Sequence, residues 1–197
     1  SAGKIDTLVL LGADPLSDVP DADLARRGLA GARNIISIDT FMTPSTSQAD
    51  VVLPAAAFGE KNGTTTNLEG RMSNVAQKIT PAGTSRPDWM IAAELATALG
   101  KDLGVGSVEE VTAKLANTVP QFAPAMNAKA LRHDGVLMNH PAPLTLSRTT
   151  LPVQDRNSYD YRIVSFRKLY DAAVGTAKSP SLAQLATGAT VVVHPLD

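Results

Sequence analysis

The sequence predicts an α/β fold built on a doubly wound, mainly parallel sheet, followed by an incomplete β segment. Three observations carry this. Residues 8–11, 34–39 and 50–54 are short apolar runs bounded by turn residues, as strands covered on both faces require. Helical patterns lie between and after them. Two further strand-like runs, 161–166 and 190–194, stand beyond a proline-rich stretch, and two strands alone leave edges and apolar faces uncovered.

Taken in order, Leu8-Val9-Leu10-Leu11 ends sharply at Gly12-Ala13-Asp14-Pro15. A helix is expected near 19–30, with Asp18 as cap, Pro20 in the first turn, Asp21 and Asp23 at the positive end, and Gly31 as a left-handed exit. Asn34 to Asp39 supplies the second strand of one βαβ unit, whose crossover should be right-handed. A third strand, 50–54, follows quickly. Residues 59–74 carry glycines, asparagines and three successive threonines with no periodic apolar face, which reads as a long structured loop. Residues 88–99 place Trp89, Ile91, Ala92, Leu95, Ala96 and Leu99 at helical spacing, stopped by Gly100. A second helix is expected over 108–118, with Ser107 as cap and Glu110 at capping-box spacing. Residues 120–152 read as a meandering connection, and 182–185 as a helical turn. The domain expectation is therefore 1–119 for the α/β part, 120–158 for a linker and 159–197 for the β segment.

Composition narrows the function. With 197 residues, 44% hydrophobic and 19% charged, the chain can bury a real core. Eighteen basic residues against nineteen acidic ones give a net charge of -1, with no basic block to neutralise a phosphate backbone, so nucleic acid is excluded as a partner. The absence of cysteine excludes disulfides, thiolate zinc sites and any iron–sulfur cluster held by this chain itself. The longest apolar stretches, 8–11 and 51–58, fall far below the roughly 20 residues of a membrane span, so no direct membrane insertion is expected. A start at Ser1 and a finish just after an apolar run suggest a piece of a longer polypeptide.

Catalytic motifs are missing. His133, His140 and His194 have no ligand partners at metal-binding spacing and read as surface or loop residues. Glu109-Glu110 and the Asp21/Asp23 pair are explained by helix-start electrostatics. Neither a Gly-x-Ser-x-Gly elbow nor a Walker loop occurs, and no Gly-x-Gly-x-x-Gly follows the first strand. What remains is the carboxyl end of an open parallel sheet, where ligands bind beyond the strand ends. Three such ends are 12–15, 39–43, and 54 with the loop to Arg71. There Asp39 is suited to accept hydrogen bonds from a guanine edge or ribose, and Thr43 to reach a phosphate. Both are also ordinary turn-formers that bond their own backbone.

A specific combination of residues sharpens the picture. Ala49-Asp50-Val51-Val52-Leu53-Pro54, Glu60, Gly63-Thr64, Asn67-x-Glu69-Gly70-Arg71 and Arg86-Pro87-Asp88-Trp89 together resemble the molybdopterin oxidoreductase family. Leu11-Gly12-Ala13-Asp14-Pro15 and Asp39-x-Phe41-Met42-Thr43 resemble that family's first two strand ends. Arg167-Lys168-Leu169-Tyr170, Gly175-Thr176, Ser179-Pro180-x-Leu182 and Val193-His194-Pro195-x-Asp197 resemble the opening of its C-terminal β domain. The resemblance implies that the second part is the start of a β-barrel-type domain. Within the family, the Gly-Ala-Asp-Pro and Asn-x-Glu-Gly-Arg forms are most similar to the large iron–sulfur subunits of proton-pumping NADH–quinone oxidoreductases.

That similarity implies a non-catalytic body that has lost its cofactor. Iron–sulfur clusters would lie in upstream domains, and the partners would be those domains and other peripheral-arm subunits of complex I. The location would be cytoplasmic, on the inner face of the cell membrane. Gly12, Asp14, Asp39 and Thr43 would be vestigial cofactor-binding positions. Catalytic relatives typically carry a neutral asparagine where Asp14 stands, and a carboxylate there repels the pyrophosphates of a dinucleotide. Glu60, Glu69 and Arg71 have a structural reading, in which the arginine pairs with one of the glutamates. The alternative is a cofactor-binding fragment of a formate dehydrogenase or nitrate reductase type enzyme, with residues 12–15, 39–43 and 60–71 cradling molybdopterin guanine dinucleotide.

Overall fold

The computed structural model describes residues 3–138, 155, 157–165, 173–186, 188 and 190–194. The chain divides into two compact units, Ser1–Leu144 and Thr145–Asp197. The first holds a parallel sheet of β1 (Thr7–Leu11), β2 (Asn34–Asp39) and β3 (Val51–Pro54) in the order β1-β2-β3. Register pairs Leu8 with Ile35, Leu10 with Ser37, Ile36 with Val51 and Ile38 with Leu53. A parallel bridge between Ala55 and Arg86 carries the sheet one step past β3.

Period-2 alternation gives the sheet two apolar faces. On one, Leu10 and Ile35 pack with Leu29 of α2 (Ala22–Ala30), joined by Leu8, Leu16 and Ala32. Burying each such aliphatic side chain contributes about 1.5–3 kcal/mol. On the other, Ile38 and Ala55 pack with Ile91 of α3 (Asp88–Ala98), joined by Leu53 and Leu95. Gly100 ends α3 at φ +77, while Lys101 N–H donates to Ala96 O and Gly100 N–H to Thr97 O, a Schellman closure.

The expected helix over 19–30 is two helices. A single turn, α1 (Pro15–Asp18), precedes α2, and the cap of α2 is Asp21, whose carboxylate accepts from Leu24 N–H at 2.8 Å. Asp18 closes α1 instead, because Pro15 already offers a favourable first helical position right after the strand. Gly31 has φ -82, so the exit is not left-handed. In α4 (Val108–Thr118), Ser107 Oγ accepts from Glu110 N–H as expected. The Glu110 carboxylate reaches one residue further back, accepting from Gly106 N–H at 2.6 Å.

Residues 59–74 are not a loop. They contain a hairpin of β4 (Gly63–Thr66) and β5 (Arg71–Val75), turned at Asn67, whose side chain accepts from Glu69 and Arg71 N–H. Threonine favours strands, yet β4 is exposed along most of its length, so no alternating apolar signal marks it. Residues 120–137 also differ from the expected meander. A 3-10 helix (Pro120–Met126), α5 (Ala128–Arg132) and β6 (Val136–Leu137) follow in turn, with β6 antiparallel to β5. Met72 of β5 is fully buried against Ala125 and Leu131, with Phe122, Val136 and Met138 around it. The apolar residues of this stretch are spread over three short elements, too short for any periodicity to register.

In the second unit, α6 (Val174–Ala177) and a 3-10 turn (Ala183–Leu185) are formed, the latter where a helical turn was expected. The expected strands over 161–166 and 190–194 are not present at 161–165 or 190–194, and Phe166 lies outside the described residues. Ile163 is 93% and Val191 91% exposed, so the apolar side chains of these segments are not covered. No closed barrel is formed among the described residues. His140, residues 167–170 and residues 195–197 also lie outside them. Among the described residues, no helix is long and apolar enough to cross a membrane.

Candidate functional site

The carboxyl ends of β1 and β2 meet in a cluster of buried polar side chains: Asp14, Ser37, Thr43, Ser45 and Thr46. The cluster exists because two turns form side by side. Gly12, at φ +55, donates its N–H to Ile38 O at 2.9 Å and turns the chain off β1. Asp14 then starts α1, its backbone oxygen accepting from Ser17 and Asp18 N–H. Its side chain turns inward. Oδ1 accepts from Ser45 N–H at 3.0 Å and from Ser45 Oγ at 2.5 Å, and Oδ2 accepts from Ser17 Oγ at 2.6 Å. Ser45 Oγ in turn accepts from Leu16 N–H at 3.0 Å, so the α1 turn and the β2–β3 connection satisfy each other's backbone groups.

A second set lies beside it. Thr43 Oγ1 donates to Thr46 Oγ1 at 2.8 Å and accepts from Thr46 N–H at 3.1 Å, shaping the 3-10 turn Thr46–Gln48. Thr46 Oγ1 lies 2.9 Å from Ser37 Oγ, and 3.5 Å from Asp39 Oδ2. Asp39 Oδ1 accepts from Phe41 N–H at 3.1 Å. Of the sequence-level candidates, then, Asp14 and Thr43 are buried in adjoining hydroxyl networks, Asp39 is half-buried at the margin, and Gly12 bonds the β2 backbone.

Burial raises the pKa of the Asp14 carboxyl, but hydrogen bonds from the Ser17 and Ser45 side chains and backbone outweigh it, so the net shift is below the usual carboxylate value. Asp14 is a carboxylate at neutral pH. Residues 12–20 and 39–60 carry Asp14, Asp18, Asp39, Asp50 and Glu60 and no lysine or arginine, while Lys61 and Arg71 of the third strand end stand beside Asp88 and Glu69. As a cradle for the pyrophosphates of a dinucleotide this set does not fit in charge. Nor are its buried hydroxyls left open to a ligand: the buried side-chain polar atom without a partner among the described residues is Trp89 Nε1, on α3.

The third strand end holds itself together locally. Glu60 accepts from Ala57 N–H at 2.8 Å, and Lys61 pairs with Asp88. Arg71 Nε lies 3.9 Å from Glu69 Oε2, and its guanidinium donates to Asp134 O at 3.2 Å. Of the two glutamates weighed for Arg71, Glu69 is the one beside it. Sequence reasoning missed Ser17, Ser37, Ser45 and Thr46. The available signal was the Thr43-Pro44-Ser45-Thr46-Ser47 run, hydroxyls packed at turn spacing just past a buried strand. No group of three or more His, Asp or Glu side chains among the described residues is arranged to hold a metal ion.

Fold and site define a class: an open parallel α/β domain with an internal carboxylate–hydroxyl network at the carboxyl ends of its strands. The chain belongs to the molybdopterin oxidoreductase family, whose description, "Molybdopterin oxidoreductase", matches residues 1–98. The NADPH-Fe(3+) oxidoreductase subunit alpha of Geobacter sulfurreducens is 34% identical over 121 residues, 61% of this chain and 14% of that protein. The F420-dependent formate dehydrogenase subunit alpha of Methanocaldococcus jannaschii is 32% identical over 138 residues, 69% of this chain and 20% of that protein. An NADH-quinone oxidoreductase subunit of Rhizobium meliloti is 32% identical over 144 residues, 73% of this chain and 17% of that protein. The chain thus spans between 14% and 20% of the length of these curated relatives, each of them named as a subunit.

Proposed function

We propose that this chain is a structural, cofactor-free portion of the large iron–sulfur subunit of a proton-pumping NADH–quinone oxidoreductase. The observation that carries the reading is Asp14. A buried carboxylate, held ionised by Ser17 and Ser45, stands just past the end of β1, and residues 12–20 and 39–60 carry no lysine or arginine. An anionic dinucleotide brought there meets repulsion in a low-dielectric setting rather than a donor. The NADH-quinone oxidoreductase relative from Rhizobium meliloti supports the assignment to that branch. On this reading the iron–sulfur clusters belong to upstream domains, the partners are those domains and the other peripheral-arm subunits, and the assembly sits on the cytoplasmic face of the membrane. Residues 159–197 are the opening of a β domain completed elsewhere. Gly12, Asp14, Asp39 and Thr43 keep the shape of a former binding edge.

A second reading has its own support. The formate dehydrogenase relative is equally identical, and on that branch this chain would form part of a molybdopterin guanine dinucleotide site. Acid release of pterin from the purified parent subunit, read by fluorescence with molybdenum and tungsten counted by mass spectrometry, separates the two. Trace pterin and metal support the cofactor-free reading. One dinucleotide or more per polypeptide overturns it.

A further inference from the structure

One face of the β4–β5 hairpin turns from apolar to polar along its length. Register pairs Thr66 with Met72 and Thr64 with Asn74, so by alternation these four side chains share a face. At Met72 that face is closed by Ala125 and Leu131. Further along β5 it carries Asn74, opposite Thr64. Asn67 N–H donates to Arg71 O, and alternation from that pair makes Thr64–Asn74 a non-hydrogen-bonded pair, the kind that brings side chains closest. Beyond the apolar core, therefore, the hairpin presents polar groups to a cavity of about 130 Å³ that it shares with the first turn of α4, the 3-10 helix Pro120–Met126 and α5.

The polar groups lining this cavity are not used up by the fold. Thr112 Oγ1 donates to Val108 O. The side chains of Thr64, Asn74, Glu109 and Arg132, by contrast, have no hydrogen bond or ion pair among the described residues. Capping of α4 does not need Glu109, because Ser107 Oγ accepts from Glu110 N–H and the Glu110 carboxylate accepts from Gly106 N–H. Arg132 ends α5 without an acidic partner. One carboxylate and one guanidinium thus line the same cavity without pairing with each other. An anion alone would also face Glu109, and a cation alone would also face Arg132, so either loses part of its attraction. A ligand that carries both charges loses neither.

We propose that this cavity binds a small zwitterion, a free amino acid with a short apolar side chain. Glu109 takes its ammonium group and Arg132 its carboxylate, while Thr64 and Asn74 offer neutral hydrogen-bond partners. Met126 and Leu131 supply the apolar wall for its side chain, the usual composition of a small-molecule site. Size agrees. The cavity of about 130 Å³ holds about four waters at roughly 30 Å³ each, which admits a short amino acid and excludes a nucleotide.

Equilibrium dialysis of isotope-labelled L-alanine against the intact parent subunit tests this. Alanine should bind saturably, and propionate and propylamine, each with one of its charges, should bind at least about 10-fold more weakly. Arg132→Gln and Glu109→Gln should each weaken alanine binding by about 10-fold or more, while Lys129→Gln, on α5 but outside the cavity lining, should leave it unchanged. Absence of alanine binding overturns the proposal. Propionate binding as tightly as alanine also overturns it, reducing the cavity to an anion site, and so does alanine binding that ignores both substitutions. Thermal unfolding guards against variants that fold poorly: alanine should raise the midpoint of the parent sequence and leave that of the Arg132→Gln variant where it was. A ligand-induced rise of equal size in both contradicts the proposal. None of these readouts depends on pterin content, so the failure of the cofactor-free reading would be seen separately.

Discussion

Ser45 Oγ donates to Asp14 Oδ1 at 2.5 Å across 31 positions of sequence, and the same hydroxyl accepts from Leu16 N–H. One small side chain therefore joins the end of β1 to the β2–β3 connection through two hydrogen bonds. Ser45→Ala removes both bonds at a buried position and leaves a charged acceptor and a backbone donor short of partners. It should lower stability by about 2–3 kcal/mol in a urea titration. Ser17→Ala, whose hydroxyl is exposed, should cost less, about 1 kcal/mol.

The same carboxylate sets a pH dependence. Because the folded pKa of Asp14 is depressed, its contribution is fully present above the unfolded carboxylate value of about 3.9 and is lost as pH falls through the lower folded value. Asp14→Asn removes this titration. The variant should be less stable than the parent sequence at neutral pH by about 1–2 kcal/mol, and the gap should close as acid protonates the native carboxyl. Denaturant midpoints measured from pH 7 down to about pH 3 check the sign. A gap that widens in acid would contradict it.

Gly135 makes a different kind of contact. It sits at φ +72 between α5 and β6, and a Cβ there would lie 2.6 Å from the backbone oxygen of Met72 and 2.8 Å from Ser73 Oγ. Gly135→Ala must push β6 off β5 and should destabilise by about 2–4 kcal/mol. Gly83, at φ +57 in open space, isolates the backbone cost alone. Gly83→Ala should cost about 1 kcal/mol. Thermal unfolding of the two variants checks the ranking.

The core answers to the same tests. Leu29 is almost wholly buried between α2 and the sheet, so Leu29→Ala should cost about 2–5 kcal/mol in equilibrium unfolding. A loss under about 1 kcal/mol would show that the α2 face is looser than its packing suggests.

What could be read in the residues follows from how strongly each element signals itself. The runs 8–11, 34–39 and 50–54 are short and apolar between turn residues, and they stand as strands with ends near those expected, although Val9, Leu11 and Val51 are exposed rather than covered. The Leu99-Gly100 stop of α3 is legible because only a residue tolerant of positive φ closes that way. The β4–β5 hairpin was hidden by its exposed threonines, and the Pro120–Met126 and Val136–Leu137 pieces by their brevity. Strand-like runs at 161–165 and 190–194 misled for the converse reason, since propensity does not make a strand where side chains such as Ile163 and Val191 stay exposed. At the site, Asp14 and Thr43 were found by position, yet the hydroxyls that claim them lie 31 and 3 positions away, and only the folded turns bring Ser45 and Thr46 to them.

The most direct test of the cofactor-free reading is a density map of the intact parent assembly over the β1 and β2 ends. The account predicts protein density alone there, with the Asp14 carboxylate on Ser45 and Ser17. A pyrophosphate-bearing pterin resting against Gly12 and Thr43, with Asp14 turned away from Ser45, would contradict it.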